Sequence, residues 1–142
     1  MNFISLKNLI ITIIGVIGSF ISYLFGGLDM ALTTLLIFMA IDYITGLVVA
    51  AVFHKSNKTE SGSLNSRAGW KGLCKKGITL LIVLVAARLD LVMGVTFIRD
   101  GVIIAYIANE LLSIIENAGL MGIPIPGPIT KAIETLKKGI DE

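Results

Sequence analysis

Five charged residues stand inside otherwise apolar stretches of the sequence, and their types are the ones that could do chemistry. They are Asp42, Arg88, Asp90, Glu110 and Glu116. Carboxylates in apolar surroundings can act as general acids or proton carriers, and an arginine nearby can pair with them. At a helix centre in a bilayer each charge costs about 2.5 to 3.5 kcal/mol. We therefore expect these side chains to face a protein interior, a partner chain or water.

The arrangement of reactive residue types does not match a catalytic site. Glu110 and Glu116 would lie about 120° apart on a helix, with Ser113 between them, so they do not oppose each other across a substrate. Ser113 has no histidine partner, since the single histidine, His54, falls at the edge of an apolar segment. The single cysteine, Cys74, excludes an intramolecular disulfide and a cysteine-based zinc site. We expect a protein without enzyme activity, cofactor or metal.

The polar residues of the last long apolar segment share one face of a predicted helix. This polar stripe consists of Asn109, Glu110, Ser113, Glu116 and Asn117. A helix divided in this way lies at a membrane surface, or it lines an aqueous path or a seam between subunits. The stripe contains no lysine or arginine, which surface helices usually carry. Its composition therefore favours a pore wall or a subunit seam.

The charged residues inside the apolar segments could form structural ion pairs within the chain, or they could meet water, another subunit or a proton, and the sequence leaves both interpretations open. We expect Asp42, Arg88 and Asp90 to be buried polar residues of the membrane segments, and Arg88 could form a structural ion pair with Asp42 or a glutamate. The segments contain no second positive group to neutralise the four acids. The remaining carboxylates are expected to meet water, another subunit or a proton.

Composition indicates an integral membrane protein. The 142 residues are 55% hydrophobic and only 15% charged, whereas about 25% of residues are charged in soluble proteins. This apolar content excludes intrinsic disorder. A net charge of +2 is too small to indicate a nucleic-acid partner. The predicted fold class is an all-α integral membrane protein whose partner is the lipid bilayer.

Four apolar segments predict the helices of a single membrane domain, residues 1–142. They cover residues 8–28, 30–53, 78–98 and 102–120. The first segment forms a helix about 31 Å long, the thickness of a hydrocarbon core. It is too long for the apolar part of a signal peptide and lacks a cleavage site after it. We expect it to remain as a membrane helix.

Polar segments set the expected topology. Residues 54–76 carry six Lys or Arg side chains and one acid, which predicts a cytoplasmic loop. Prolines at 124, 126 and 128 end the fourth segment, and residues 129–140 predict a short amphipathic helix. Whether residues 102–120 cross the bilayer decides between three and four membrane-spanning helices, and the sequence leaves this count open.

Small residues recur at helical spacing in the first two apolar segments. They are Gly15, Ser19, Ser22 and Gly26 in the first segment, and Gly46 and Ala50 in the second. Small residues let helix backbones approach closely in lipid. They predict helix packing, either of the first two segments against each other or between copies in a homo-oligomer.

Two motifs resemble those of a known family. One runs Asp42-Tyr-Ile-Thr-Gly46, and the other runs Asn109-Glu-Leu-Leu-Ser-Ile-Ile-Glu-Asn117. A Ser-, Gly- and Lys-rich segment lies between them, and Gly122 and Pro124 follow the second. Over residues 30–140 this pattern resembles the phage lysis and toxin-secretion holins, TcdE-like holins among them.

The resemblance implies a protein that accumulates and homo-oligomerises in the bacterial cytoplasmic membrane and permeabilises it. Endolysin, or a large toxin without a signal peptide, would be the functional partner, without direct binding. The positions that match the family motifs are Asp42, Tyr43, Thr45, Gly46, Glu110, Ser113, Glu116 and Asn117. Two other classes remain open: an antiholin-like regulatory or scaffold membrane protein, and a subunit of a small ion-coupled transporter.

Overall fold

A computed structural model describes residues 2–141, and all regular secondary structure within them is helical. The helices are α1 (Phe3–Leu24), α2 (Met30–Ala51), α3 (Ser66–Met93), α4 (Ile98–Leu120) and α5 (Gly127–Asp141). The predicted all-α class is confirmed. Helices α1 and α2 are both 22 residues long and apolar enough to cross a membrane.

The core lies where α4 packs against α2 and α3. Its buried apolar side chains are Leu32, Leu35, Met39, Val83 and Ile103. Close packing gives these side chains many favourable dispersion contacts. Helices α2 and α4 run parallel, since Arg99 contacts Asp29 at their starts and Asn117 contacts Thr45 further along.

Helix α1 stands apart from this core. None of its residues is buried, and it touches α3 but not α2. Packing of the first two segments against each other, one of the two expectations, is therefore wrong. Gly15 and Ser19 are exposed, and a Cβ added at Gly15 would meet no atom within 4 Å.

The other two small residues of the first apolar segment, Ser22 and Gly26, lie in the last turn of α1 and in the turn that leads to α2. Gly26 and Gly27 have φ angles of 80° and 99°, which side chains rarely allow. The Ser22 hydroxyl accepts a hydrogen bond from the backbone N–H of Leu28 at 3.1 Å. Ser22 and Gly26 therefore contribute to chain reversal rather than to helix packing within this chain.

Helix α3 begins at Ser66, ten residues before the end of the predicted loop at residue 76. The side-chain oxygen of Asn65 caps it by accepting from the backbone N–H groups of Arg67 and Ala68 at 2.8 and 3.3 Å. The predicted loop 54–76 is thus wrong beyond Asn65, and the connection shortens to residues 52–65, called the α2–α3 loop below.

Gly69 and Gly72 were part of the predicted loop, but in the structure they are the places where α3 contacts Tyr43 of α2. A Cβ at Gly69 would lie 3.6 Å from the Tyr43 hydroxyl, and one at Gly72 would lie 3.9 Å from the Tyr43 ring. Because these glycines have no side chain, the Tyr43 ring of α2 can lie close to the backbone of α3. Helix α5 agrees with the predicted amphipathic helix: its Ile133 is buried, while Lys131 and Lys137 are exposed.

Candidate functional site: a buried polar cluster

Three charged side chains from three helices meet in the core. The Lys76 Nζ of α3 lies 2.7 Å from Asp42 Oδ2 of α2 and 2.6 Å from Glu110 Oε2 of α4. Asp42 and Glu110 are only 5% and 6% exposed. One ammonium group therefore contacts two buried carboxyl groups.

Asn117 extends the network along α4. Its amide nitrogen donates to the Asp42 carboxylate at 3.1 Å, to the Asp42 carbonyl at 3.2 Å and to Thr45 Oγ1 at 2.9 Å. Together, Lys76, Asp42, Glu110 and Asn117 are called the Lys76 cluster. No buried side-chain nitrogen or oxygen within residues 2–141 lacks a hydrogen-bond partner, so the cluster is a satisfied network of the kind that specifies one packing arrangement.

The ion pair considered for Arg88 does not form. Arg88 lies on the exposed side of α3, and Lys76 pairs with Asp42 and Glu110 instead. Sequence reasoning missed Lys76 because it was assigned to a loop. Its place directly before an apolar run was the available signal, since a lysine stem can extend along apolar surface and bring its ammonium to a buried acid.

Asp90 lies in the last turn of α3, beside the start of α4, rather than in the core. It is half-buried, and its two carboxylate oxygens accept from the backbone N–H groups of Ile98 and Arg99 at 2.9 and 3.0 Å. An acid at this position satisfies free donors and complements the positive end of the helix dipole. The expectation of a membrane-buried residue is corrected to a cap of α4.

The polar stripe of α4 is divided between two environments. Glu110 and Asn117 are buried, and Ser113 is half-buried between them. Asn109 and Glu116 are exposed. Residues seven apart lie nearly in line on a helix, so the stripe consists of an inner pair, Glu110 and Asn117, and an outer pair, Asn109 and Glu116.

A second polar cluster, which the sequence analysis missed, surrounds Arg99 at the start of α4. Its guanidinium contacts both Asp29 carboxylate oxygens, with Nη1 at 2.7 Å and Nη2 at 3.2 Å. It also donates to the carbonyls of Phe25 and Gly27 at 2.6 and 2.8 Å. Arg99, only 7% exposed, thereby ties the turn between α1 and α2 to α4.

The hydrogen bond from Arg99 lowers the pKa of the Asp29 carboxyl below its ordinary value of 3.8, although partial burial acts in the opposite direction. Asp29 also caps α2, since its Oδ1 accepts from the backbone N–H of Leu32 at 3.0 Å. The signal for this cluster was an acid directly before an apolar run, which is a helix N-cap pattern.

A cavity of about 70 Å³ adjoins the Lys76 cluster beneath the α2–α3 loop, which is room for a few water molecules. Its lining includes Asp42, Gly46, Ala50, Lys58 and Lys76. The predicted small-residue pair of α2 therefore borders this cavity, and Ala50 is buried there. Residues 2–141 contain no group of three His, Cys, Asp or Glu side chains that could hold a metal ion.

Comparison with known proteins gives one family. Residues 19–138 match the sequence model of the bacteriophage holin family. A probable holin of Bacillus phage phi105 is 34% identical over 122 residues, covering 85% of this chain and 84% of the relative. An uncharacterized Listeria monocytogenes protein is 38% identical over 128 residues, covering 88% and 86%. An uncharacterized 14.9 kDa Clostridium perfringens protein is 35% identical over 122 residues, covering 84% and 86%. No solved structure matches the chain.

Proposed function

Because the chain belongs to the bacteriophage holin family, we propose that it oligomerises in the bacterial cytoplasmic membrane and opens a pore or lesion there. Endolysin, or a toxin without a signal peptide, then leaves the cell through this opening without binding the chain. Cell lysis or toxin release follows. In this role the protein acts through assembly and not through catalysis.

The outer pair on α4 is the observation that carries this proposal. Asn109 and Glu116 are exposed, although they belong to a helix that packs along α2, a helix apolar enough to span the bilayer. A lipid-facing carboxylate costs about 2.5 to 3.5 kcal/mol at the bilayer centre, and Glu116, which lies in the last turns of α4, bears a smaller cost of the same kind. Contact with a second copy, or with water inside an oligomer, removes that cost.

Four membrane-spanning helices fit this proposal best. Because α2 and α4 pack in parallel, they are expected to lie at the same depth in the bilayer. Helix α3 connects the end of α2 to the start of α4 and so crosses in the opposite direction. The excess of positive charge in residues 54–76, which span most of the α2–α3 loop and the first part of α3, favours a cytoplasmic position for the α2–α3 loop. The start of α1 and all of α5 then also lie on the cytoplasmic side, and the Arg99 cluster lies near the outer face.

Induced expression in bacteria tests the function, with membrane potential and viability recorded together. We expect normal growth followed by an abrupt collapse of both, and release of unrelated solutes. Normal growth at high membrane abundance would contradict the proposal and favour a scaffold or regulator. Leakage that requires one substrate and a proton gradient would contradict it in favour of a transporter subunit.

A further inference from the structure

We propose that Lys58 supplies the second positive charge of the Lys76 cluster and thereby holds the α2–α3 loop closed over the cavity. In this arrangement the loop is an electrostatic latch: a cytoplasm-facing segment whose lysine balances charges that lie inside the helix bundle.

The charge count of the cluster motivates the latch. Asp42 and Glu110 are buried acids, and Lys76 is the one cation in direct contact with them among residues 2–141. When both acids are ionised, these three groups carry one net negative charge, which is unfavourable in surroundings of low polarity. Adding Lys58 brings the total to zero.

The position of Lys58 fits this role. Its Nζ lies 4.0 Å from the place of a Cβ at Gly46, and Gly46 is one helical turn beyond Asp42 on the same face of α2. Lys58, Asp42 and Lys76 line the same cavity. Lys58 makes no direct ion pair with a described acid, so its attraction acts across the cavity, where water molecules fit.

Hydrogen bonds within the α2–α3 loop place Lys58 above the cavity. The backbone N–H of Ser56 donates to the Gly62 carbonyl at 3.0 Å, and the Thr59 hydroxyl donates to the Ser63 carbonyl at 2.9 Å. A side chain at Gly62 would collide with the His54 carbonyl. The loop is thus held in shape by its own hydrogen bonds, and the latch predicts that it moves away from the cavity when the attraction to Lys58 is removed.

Thiol labelling of the purified 142-residue chain in nanodiscs tests the latch without requiring pore formation. The reporter is Ala50→Cys in a Cys74→Ser background, because Ala50 is buried at the cavity. We expect Lys58→Glu to increase the rate of labelling by a water-soluble maleimide several-fold, while Lys58→Arg leaves it unchanged. Lys55→Glu is the matched control, since Lys55 is an exposed lysine of the same loop and does not line the cavity.

A charge cycle then tests the electrostatic origin. In a Glu110→Gln background Asp42 and Lys76 balance each other, so Lys58→Gln should accelerate labelling less than it does with Glu110 present. Equal rates for Lys58→Glu and Lys55→Glu would overturn the latch. So would an effect of Lys58→Gln that is unaffected by Glu110→Gln. A reporter at the exposed neighbour Ala51 should label at one rate in all variants.

Discussion

Helix α4 carries two pairs of an acid and an amide that have the same spacing but opposite environments. Glu110 and Asn117 form the buried inner pair, whereas Asn109 and Glu116 form the exposed outer pair. Lys76 and Asp42 bind the inner pair from α3 and α2. The outer pair has no such neighbours within the described chain. The two pairs contain the same residue types. What separates them is whether the neighbouring helices provide hydrogen-bond and ion-pair partners at their positions.

The largest effect on stability is expected when the cation of the inner pair is removed. Lys76→Met leaves two buried carboxylates without their shared ammonium, which should lower the free energy of unfolding by about 3 to 5 kcal/mol. Lys75→Met is the control, since Lys75 is the exposed neighbouring lysine. Detergent-induced unfolding followed by helix content measures both; equal losses would contradict the described role of Lys76.

The two amides offer a direct comparison between the inner and outer pairs. Asn117→Ala removes the donor to the Asp42 carboxylate and to Thr45, which should cost about 1 to 3 kcal/mol. Asn109→Ala should stay within about 0.5 kcal/mol, as is usual for an exposed site. The same unfolding assay distinguishes them. A loss at Asn109 as large as that at Asn117 would argue against their different burial.

Replacing Asp29 is expected to have a smaller effect on the free energy of unfolding, and this effect depends on pH. Because the pKa of Asp29 is lowered in the folded state, its contribution is present above the ordinary value of 3.8 and is lost as pH falls below it. The side chain is 48% exposed, so solvent screening keeps the contribution small. Asp29→Asn should reduce stability near neutral pH and flatten its fall below pH 3.8. An unchanged acid profile would contradict the pairing with Arg99.

The smallest effect on stability, with a large effect on function, is expected at the outer pair. Glu116→Leu should leave membrane insertion and unfolding unchanged but weaken or delay permeabilisation, because it removes the carboxylate proposed to lie at the seam. Glu134→Leu is the control, since Glu134 is an exposed acid of α5. Membrane-potential collapse after induction measures the difference. Unchanged leakage and lysis timing in a Glu110→Leu, Glu116→Leu double variant would contradict any role of the polar stripe of α4 in permeabilisation.

Local sequence patterns predict the apolar helices better than they predict contacts between helices. Residues 30–53 and 102–120 correspond to α2 and α4 with small differences at the ends. The start of α3 was missed because glycine has a low helix propensity, whereas here Gly69 and Gly72 accommodate Tyr43. Propensity cannot report a neighbour that comes from a distant part of the chain.

The candidate site shows the same limit. Apolar context identified Asp42 and Glu110 as residues that need protection from lipid, but their shared partner Lys76 lies 34 residues from each. Helical periodicity also identified the polar stripe of α4. It could not show that Glu116 and Glu110 differ in burial, because that depends on which face α2 and α3 cover.

Cross-linking between copies tests the central claim that the outer pair lies at a subunit seam. In a Cys74→Ser background, Asn109→Cys or Glu116→Cys is oxidised in isolated membranes, with Ala118→Cys, at a buried position of α4, as the control. We predict disulfide-linked dimers for both outer positions and none for Ala118. Monomers alone at positions 109 and 116, in membranes that are permeabilised by the same protein, would contradict the account.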